Sequence, residues 1–204
     1  MTTNQPDTEE KIKEAARKIF LEKGYDGTTI RDIAETAQIN TALTNYYFRS
    51  KEKLFWLVFE SMLRESIEKM QAILDKPIDL KIKLSELIDH MFRLQAENPN
   101  ISLFFMNEIR RDPAHFVERT GVSCRIVETF LNQQLEEEYR AGRIREISAL
   151  HLLPLVFGTI QQVFASRTLH MFLFQVGEEE FMAFAQEQKR LVMEMVLNWL
   201  YREN

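Results

Sequence analysis

Apolar residues return every three or four positions along nearly the whole chain, the period of an amphipathic helix, and no stretch alternates convincingly as a half-buried strand does. Ile12, Ala15, Ala16, Ile19 and Phe20 form the buried stripe of a first helix, capped by Asp7 or Thr8, with Glu9 and Glu10 favourable in its opening turn. Gly24 supplies a left-handed cap after Lys23, and Tyr25-Asp26-Gly27 turns the chain. Ile30, Ile33, Ala34 and Ala37 mark a short second helix capped by Thr28 or Thr29. Gln38-Ile39 breaks the period and Asn40 caps a third helix, so the two are joined as a helix-turn-helix. The outward positions of that third helix, Thr41, Ala42, Asn45 and Tyr46, are small or hydrogen-bonding, whereas Leu43, Tyr47 and Phe48 partly pack back. A helix with that exposed face suits a major groove.

Ser50 then caps a long helix whose buried face runs through Leu54, Phe55, Val58, Met62, Ile67, Met70 and Leu74 to about Asp75. Pro77 makes Asp75–Asp79 the clearest break in the chain, too short for a free linker. A helix from Leu80 to Glu97 follows, with Ile82, Leu84, Leu87, Ile88, Met91 and Leu94 on its apolar face. Asn98-Pro99-Asn100 ends it, and a short helix runs from about Ile101 to Arg111. Asp112-Pro113 opens another that ends near Gly142, with Phe116, Val122, Ile126, Val127, Phe130, Leu131 and Leu135 inside and the solvated run Glu136-Glu137-Glu138 outside. From about Ile147 to Leu169 the pattern is apolar around most of the circumference, with Pro154 kinking it or lying near its first turns. Gly177 precedes a last helix from about Glu178 to Tyr201.

Composition sharpens this all-α picture. Only six Gly and five Pro interrupt a chain of 204 residues that is 45% hydrophobic, enough to bury a good core. A net charge of -5 counts against nucleic acid overall, yet Arg49, Lys51 and Lys53 gather beside the third helix against Glu52 alone. A single cysteine, Cys124, excludes an internal disulfide and reads as a small buried hydrophobe in a reducing cytoplasm. No run of about 18 apolar residues is present, so neither a leader nor a membrane span is expected. His90, His115, His151 and His170 are scattered without metal-ligand spacing, and no phosphate loop or nucleophile motif occurs. Asp89 and His90 are adjacent on a helix and point about 100° apart, so they make no acid-base pair. The chain is expected to have no enzymatic activity, no cofactor and no metal.

The segment from about Thr8 to Glu60 resembles the DNA-binding domain of the TetR family of bacterial transcriptional regulators. The likeness lies in Gly24-Tyr25-Asp26, then Thr28-Thr29-Ile30-Arg31-Asp32-Ile33-Ala34, then Asn45-Tyr46-Tyr47-Phe48-Arg49-Ser50-Lys51-Glu52-Lys53-Leu54. Two positions depart from the family's pattern. Gln38 stands where Gly is usual, and a left-handed residue there costs about 1 kcal/mol without Gly. Thr44 replaces the usual apolar residue, which predicts a less firmly packed recognition helix.

The resemblance implies an N-terminal three-helix DNA-binding domain, residues 1–50, joined by the long helix to a larger effector-binding and dimerisation domain, residues 51–204. It implies that Thr41, Ala42 and Leu43 meet base edges or thymine methyls, that Asn45 bonds a base or phosphate, and that Thr29, Tyr46, Tyr47 and Lys51 reach phosphates. The tyrosine pair could instead simply lock the helix in place. An effector pocket, also implied, would draw on Met70, Phe104, Phe105, Phe116, Phe130, Phe157 and Phe164, although aromatic residues at helical spacing equally suit a core. Arg93, Asn107, Glu108, His115 and Gln161 are candidate polar groups for it. The last two helices carry more apolar surface than one small domain hides, which predicts a homodimer through Val156, Ile160, Val163, Leu191, Met195 and Trp199. The expected partners are a palindromic double-stranded DNA operator, a small and largely apolar effector and a second copy of the chain, with no membrane. The alternative is a helical small-molecule or lipid-binding module whose helix-turn-helix is only a folding unit.

Overall fold

The computed structural model describes residues 5–120 and 130–201, and the chain divides into two compact units, Met1–Ser66 and Ile67–Asn204. Residues Val122, Cys124, Ile126 and Val127 lie outside the described residues.

The first unit holds α1 (Gln5–Lys23), α2 (Ile30–Ala37), α3 (Thr41–Phe48) and the opening turns of α4 (Lys51–Leu74). Helix α1 starts before the expected caps, so Asp7 and Thr8 lie inside its first turn. Its end is as read: Gly24 has φ +69° and its N–H donates to the Phe20 carbonyl at 2.9 Å. Gly27 is needed for a second reason, because a Cβ there would lie 2.5 Å from the Lys23 carbonyl oxygen. The core combines Ile12, Ala16 and Phe20 with Ile33, Phe55 and Phe59, all buried. Phe55 is at its centre, edge-on to Phe20 at 5.0 Å and to Tyr25 at 4.8 Å, and stacked on Phe59 at 5.6 Å.

The second unit contains α5 (Leu80–Glu97), α6 (Ile101–Arg111), α7 (Pro113–Thr120), α8 (Phe130–Arg140), α9 (Ala149–Ala165), α10 (Arg167–Phe174) and α11 (Glu178–Leu200). Asp79 caps α5 by accepting from the Lys81 and Ile82 amides, which satisfies two of its orphan donors. Helices α5, α9 and α11 pack on one another around Leu84, Leu87, Ile88, Phe92, Leu152, Val156, Ile160, Phe164, Phe181 and Val192.

The structure corrects four expectations here. The buried face of α5 keeps Leu84, Leu87 and Ile88 but leaves Ile82 53% exposed and takes in Lys83, which is fully buried. The Lys83 ammonium donates to the Leu74 carbonyl at 2.7 Å and lies 4.5 Å from the Phe130 ring centroid, so a cation closes the C-terminal end of α4. Burial pushes that ammonium below the ordinary lysine value, partly offset by the Asp75 carboxylate. Phe130, expected inside, is 38% exposed. The apolar run from Ile147 to Leu169 is not one helix but α9 and α10, bent by 49° about Ser166, with Pro154 accommodated inside α9. It is also not covered on all sides: Leu150 and Leu155 are exposed.

Among the described residues no single helix is long and apolar enough to cross a membrane; only the bent α9 and α10 pair reaches that length and composition together.

The C-terminal end of the second unit carries a titration that can be measured. Tyr201 pairs with Ile144 in an isolated antiparallel bridge. Burial, then the carboxylates of Asp79 and Glu138, push its phenol up to about 12 against the opposing Arg143. Folding therefore favours the neutral phenol, a contribution fully present below about pH 10 and lost as pH rises toward 12. Urea unfolding across that window is expected to show a steeper loss of stability for the parent than for Tyr201→Phe; parallel curves would remove the phenol from the account.

Candidate nucleic-acid interface and effector cavity

The helix-turn-helix is held by local chemistry at each joint. Thr29 caps α2 reciprocally with Asp32: the Asp32 amide donates to Thr29 Oγ1 at 3.1 Å and the Thr29 amide donates to Asp32 Oδ2 at 2.8 Å. Lys23 completes the corner with an ion pair to Asp32 at 2.7 Å. Lys23, then Thr29, hold the Asp32 carboxyl well below the usual carboxylate range. That contribution is present above the unfolded value of about 3.9 and is lost as pH falls through the depressed folded value. Asp32→Asn is expected to be less stable than the parent at neutral pH, the gap closing toward pH 2 in acid titrations followed by circular dichroism. A constant gap would place the loss elsewhere.

Gln38 takes the left-handed conformation, φ 56° and ψ 41°, and its N–H reaches the Ala34 and Glu35 carbonyls, so the turn keeps its geometry without Gly. Asn40 then caps α3 by accepting from the Ala42 amide at 2.7 Å. Thr44 is fully buried, and its hydroxyl donates to the Asn40 carbonyl at 3.4 Å. The expected looseness of α3 is therefore absent, because the polar atom is satisfied within its own helix and Phe48 anchors the next turn.

What α3 leaves outside is Thr41, Ala42, Leu43, Asn45 and Tyr46, with Leu43 40% and Tyr46 73% exposed. Tyr47 is half-buried with its ring 5.7 Å from that of Tyr46. The structure thus brings six of the eight predicted DNA-facing residues together on one short helix, and Thr29 stands exposed at the start of α2. Lys51 has a different occupation. Its ammonium donates to the Tyr25 carbonyl at 2.9 Å and the Thr28 carbonyl at 3.0 Å, and lies 4.1 Å from the Tyr25 ring centroid. It ties the start of α4 to the turn after α1, where Thr28 is itself buried and donates to the Gly24 carbonyl at 2.7 Å. Two of the three N–H donors of Lys51 are thereby used. Arg49 and Lys53 remain exposed beside it.

In the second unit none of the predicted apolar pocket residues lines the cleft described below. Phe164 is core, edge-on to Phe92 at 5.3 Å and to Phe181 at 6.0 Å. Phe104 and Phe116 are buried, Phe105, Met70 and Phe157 half-buried. Of the polar candidates only Glu108 is buried, ion-paired with Arg111 at 3.1 Å. A cleft of about 850 Å³ lies elsewhere, between the end of α4, α5 and α11. Its lining includes Ile73, Phe92, Arg93, Met182 and Lys189, with Lys189 bonded to Asp89 at 2.7 Å. Of the expected pocket groups only Arg93 lines it, since its walls are otherwise ordinary helix faces.

Val156 and Ile160 are 0% and 2% exposed, so they belong to the chain's own core and cannot line an interface between copies. Met195 and Trp199 are open, at 69% and 46%, and with Leu155 and Thr159 they edge an apolar groove of about 170 Å³ on α9 and α11. Leu169, Phe172, Leu173 and Phe174 extend the exposed apolar surface along α10, a patch that pattern reading passed over.

A small all-helical head with a capped, polar recognition helix, followed by a separate helical unit, defines the class of helix-turn-helix regulators. Residues 12–56 match the bacterial regulatory proteins of the tetR family, so the N-terminal unit is a tetR-type helix-turn-helix domain. The fatty acid metabolism regulator protein of Bacillus subtilis (strain 168) is 25% identical over 152 residues, 74% of this chain and 78% of that protein. The biofilm operon icaADBC HTH-type negative transcriptional regulator IcaR of Staphylococcus aureus (strain Newman) is 46% identical over 46 residues, 22% of this chain and 25% of its own length. Beyond the head the shared fold continues: the crystal structure of FadR from Bacillus subtilis in complex with stearoyl-CoA has a TM-score of 0.61 at 22% identity, covering 91% of this chain and 97% of that one.

Proposed function

We propose that this regulator is a cytoplasmic, homodimeric repressor that binds a palindromic operator through α3 and leaves it when a small effector with a largely apolar body occupies the second unit. The observation that carries the reading is the exposed face of α3, small and hydrogen-bonding where it meets solvent and pinned by Thr44 and Phe48 on its other side. The DNA-binding domain is residues 1–50 and the effector-binding and dimerisation domain residues 51–204, which α4 opens. Two α3 helices related by a two-fold axis enter successive major grooves about 34–36 Å apart. Met195, Trp199 and the apolar edge of α10 form the contact between copies. The effector acts by binding the operator-competent and incompetent states unequally.

Relatives named for fatty acid metabolism, and a similar fold bound to stearoyl-CoA, support an acyl chain as the apolar body. Selection of duplexes from a randomised pool tests the first half: a palindrome with half-sites one helical turn apart is expected, and no enrichment at low salt would defeat it. Addition of stearoyl-CoA to the selected complex, with coenzyme A alone as control, tests the second; release by both or by neither would reject the acyl chain.

A further inference from the structure

Helix α3 reads Thr41-Ala42-Leu43-Thr44-Asn45-Tyr46-Tyr47-Phe48, without one cationic, acidic or glutamine side chain. That composition limits which base edges it can read. Guanine shows the major groove two acceptors, N7 and O6, which take the paired donors of Arg or Lys. Cytosine shows a donor, N4, which takes a carboxylate. Adenine shows N7 and N6, an acceptor beside a donor, which the amide of Asn45 matches with its own donor and acceptor. Thymine adds a C5 methyl that only an apolar contact rewards.

The exposed positions fit the second pair of bases better than the first, the Thr41 hydroxyl serving either. Thr41, Ala42 and Leu43 stand in consecutive order in the first turn and all three are exposed. Leu43 is 40% exposed on a helix whose buried residues are Thr44 and Phe48. An aliphatic side chain in that place keeps apolar surface open to solvent, and a thymine methyl is the apolar group a major groove offers. Asn45 lies three and four residues beyond Ala42 and Thr41, so its amide shares their side of the helix. The nearest cations on either side of α3 lie off it. Arg31 on α2 donates to Glu35 at 2.8 Å, and Arg49 follows the last residue of α3.

We infer that the half-site read by α3 is composed of A·T pairs, with thymine methyls seated against Ala42 and Leu43 and an adenine bonded by Asn45. This rests on the operator-binding reading above. Specificity then comes from methyl burial and one amide, while the cations outside α3 contribute affinity without sequence preference.

The test begins with the full chain and the randomised duplex pool. Recovery of a palindrome whose α3-contacted positions are A·T supports the inference; a palindrome with G·C there overturns it while leaving the operator reading intact. Failure to recover any palindrome overturns both. The selected operator is then remade with deoxyuridine in place of single thymines, which deletes the methyl and keeps the O4 acceptor. At a contacted thymine the parent is expected to bind about fourfold more weakly, the worth of one buried methyl group. Leu43→Ala, at an exposed position, is expected to lose that sensitivity at one thymine while keeping its fold by circular dichroism and its affinity for random duplex. Equal deoxyuridine sensitivity in parent and variant at every thymine would sink the assignment of Leu43.

Discussion

Lys51→Ala is expected to weaken the head by about 2–4 kcal/mol, because it deletes two charge-assisted hydrogen bonds, takes the ammonium from the Thr28 carbonyl and leaves the Tyr25 carbonyl the 3.3 Å bond from the Thr28 amide. The family resemblance assigns this lysine to phosphate. In the structure its ammonium sits over the Tyr25 ring and bridges the turn after α1 to the first residue of α4, with one N–H left over. The two roles differ in what salt does. A lost phosphate contact lowers the slope of log K against log salt by about one, whereas a lost clamp lowers the melting temperature and leaves the slope nearly unchanged. Thermal melts of the free protein, with binding measured at several salt concentrations well below the melt, separate them. The clamp is expected to dominate; an unaltered melt with a slope reduced by one would return Lys51 to the phosphate-contacting set.

Phe55→Ala should produce the largest loss of stability in the same unit, about 3–5 kcal/mol, the range for emptying an aromatic side chain from a packed core. Phe55 touches aromatic neighbours from three different parts of the head: Phe20 on α1, Tyr25 in the turn and Phe59 on α4. The cavity therefore loosens every junction that aims α3, and operator binding is expected to fail together with the melt. Phe55→Leu keeps much of the volume and should retain a folded head at reduced stability. A Phe55→Ala protein that melts like the parent would mean that the head core closes around the cavity.

The elements whose ends carry side-chain caps or proline were readable before any coordinates. Thr29, Asn40 and Ser50 each cap the helix that follows them, and α5 and α6 run from Leu80 to Glu97 and from Ile101 to Arg111 as Pro77 and Pro99 suggest. The break at Ser166 escaped because neither Gly nor Pro marks it, while Pro154, the visible candidate, lies inside an unbroken helix. In α9 the apolar residues run around most of the circumference, so periodicity could not say which side turns inward; Val156 and Ile160 went to the core and Leu155 to solvent. A lysine in an apolar stripe reads as its edge, and nothing local shows that Lys83 is buried on the Leu74 carbonyl. Lys51 escaped for the same reason, since its acceptors lie 26 and 23 residues earlier. The exposed face of α3 was legible almost entirely, since eight residues between two clear caps leave little to tertiary packing.

Phe172, Leu173 and Phe174 stand in water in the single chain, together with Met195 and Trp199. In the proposed dimer a patch of that kind joins the thermodynamics of folding to those of encounter, so its melting temperature varies with concentration. Dilution should lower the midpoint, and a variant that trims the patch should melt at a temperature less dependent on dilution. For that proposed dimer the same arithmetic makes occupancy of a two-fold site steeper than linear in the number of chains synthesised, a threshold set before any small molecule arrives.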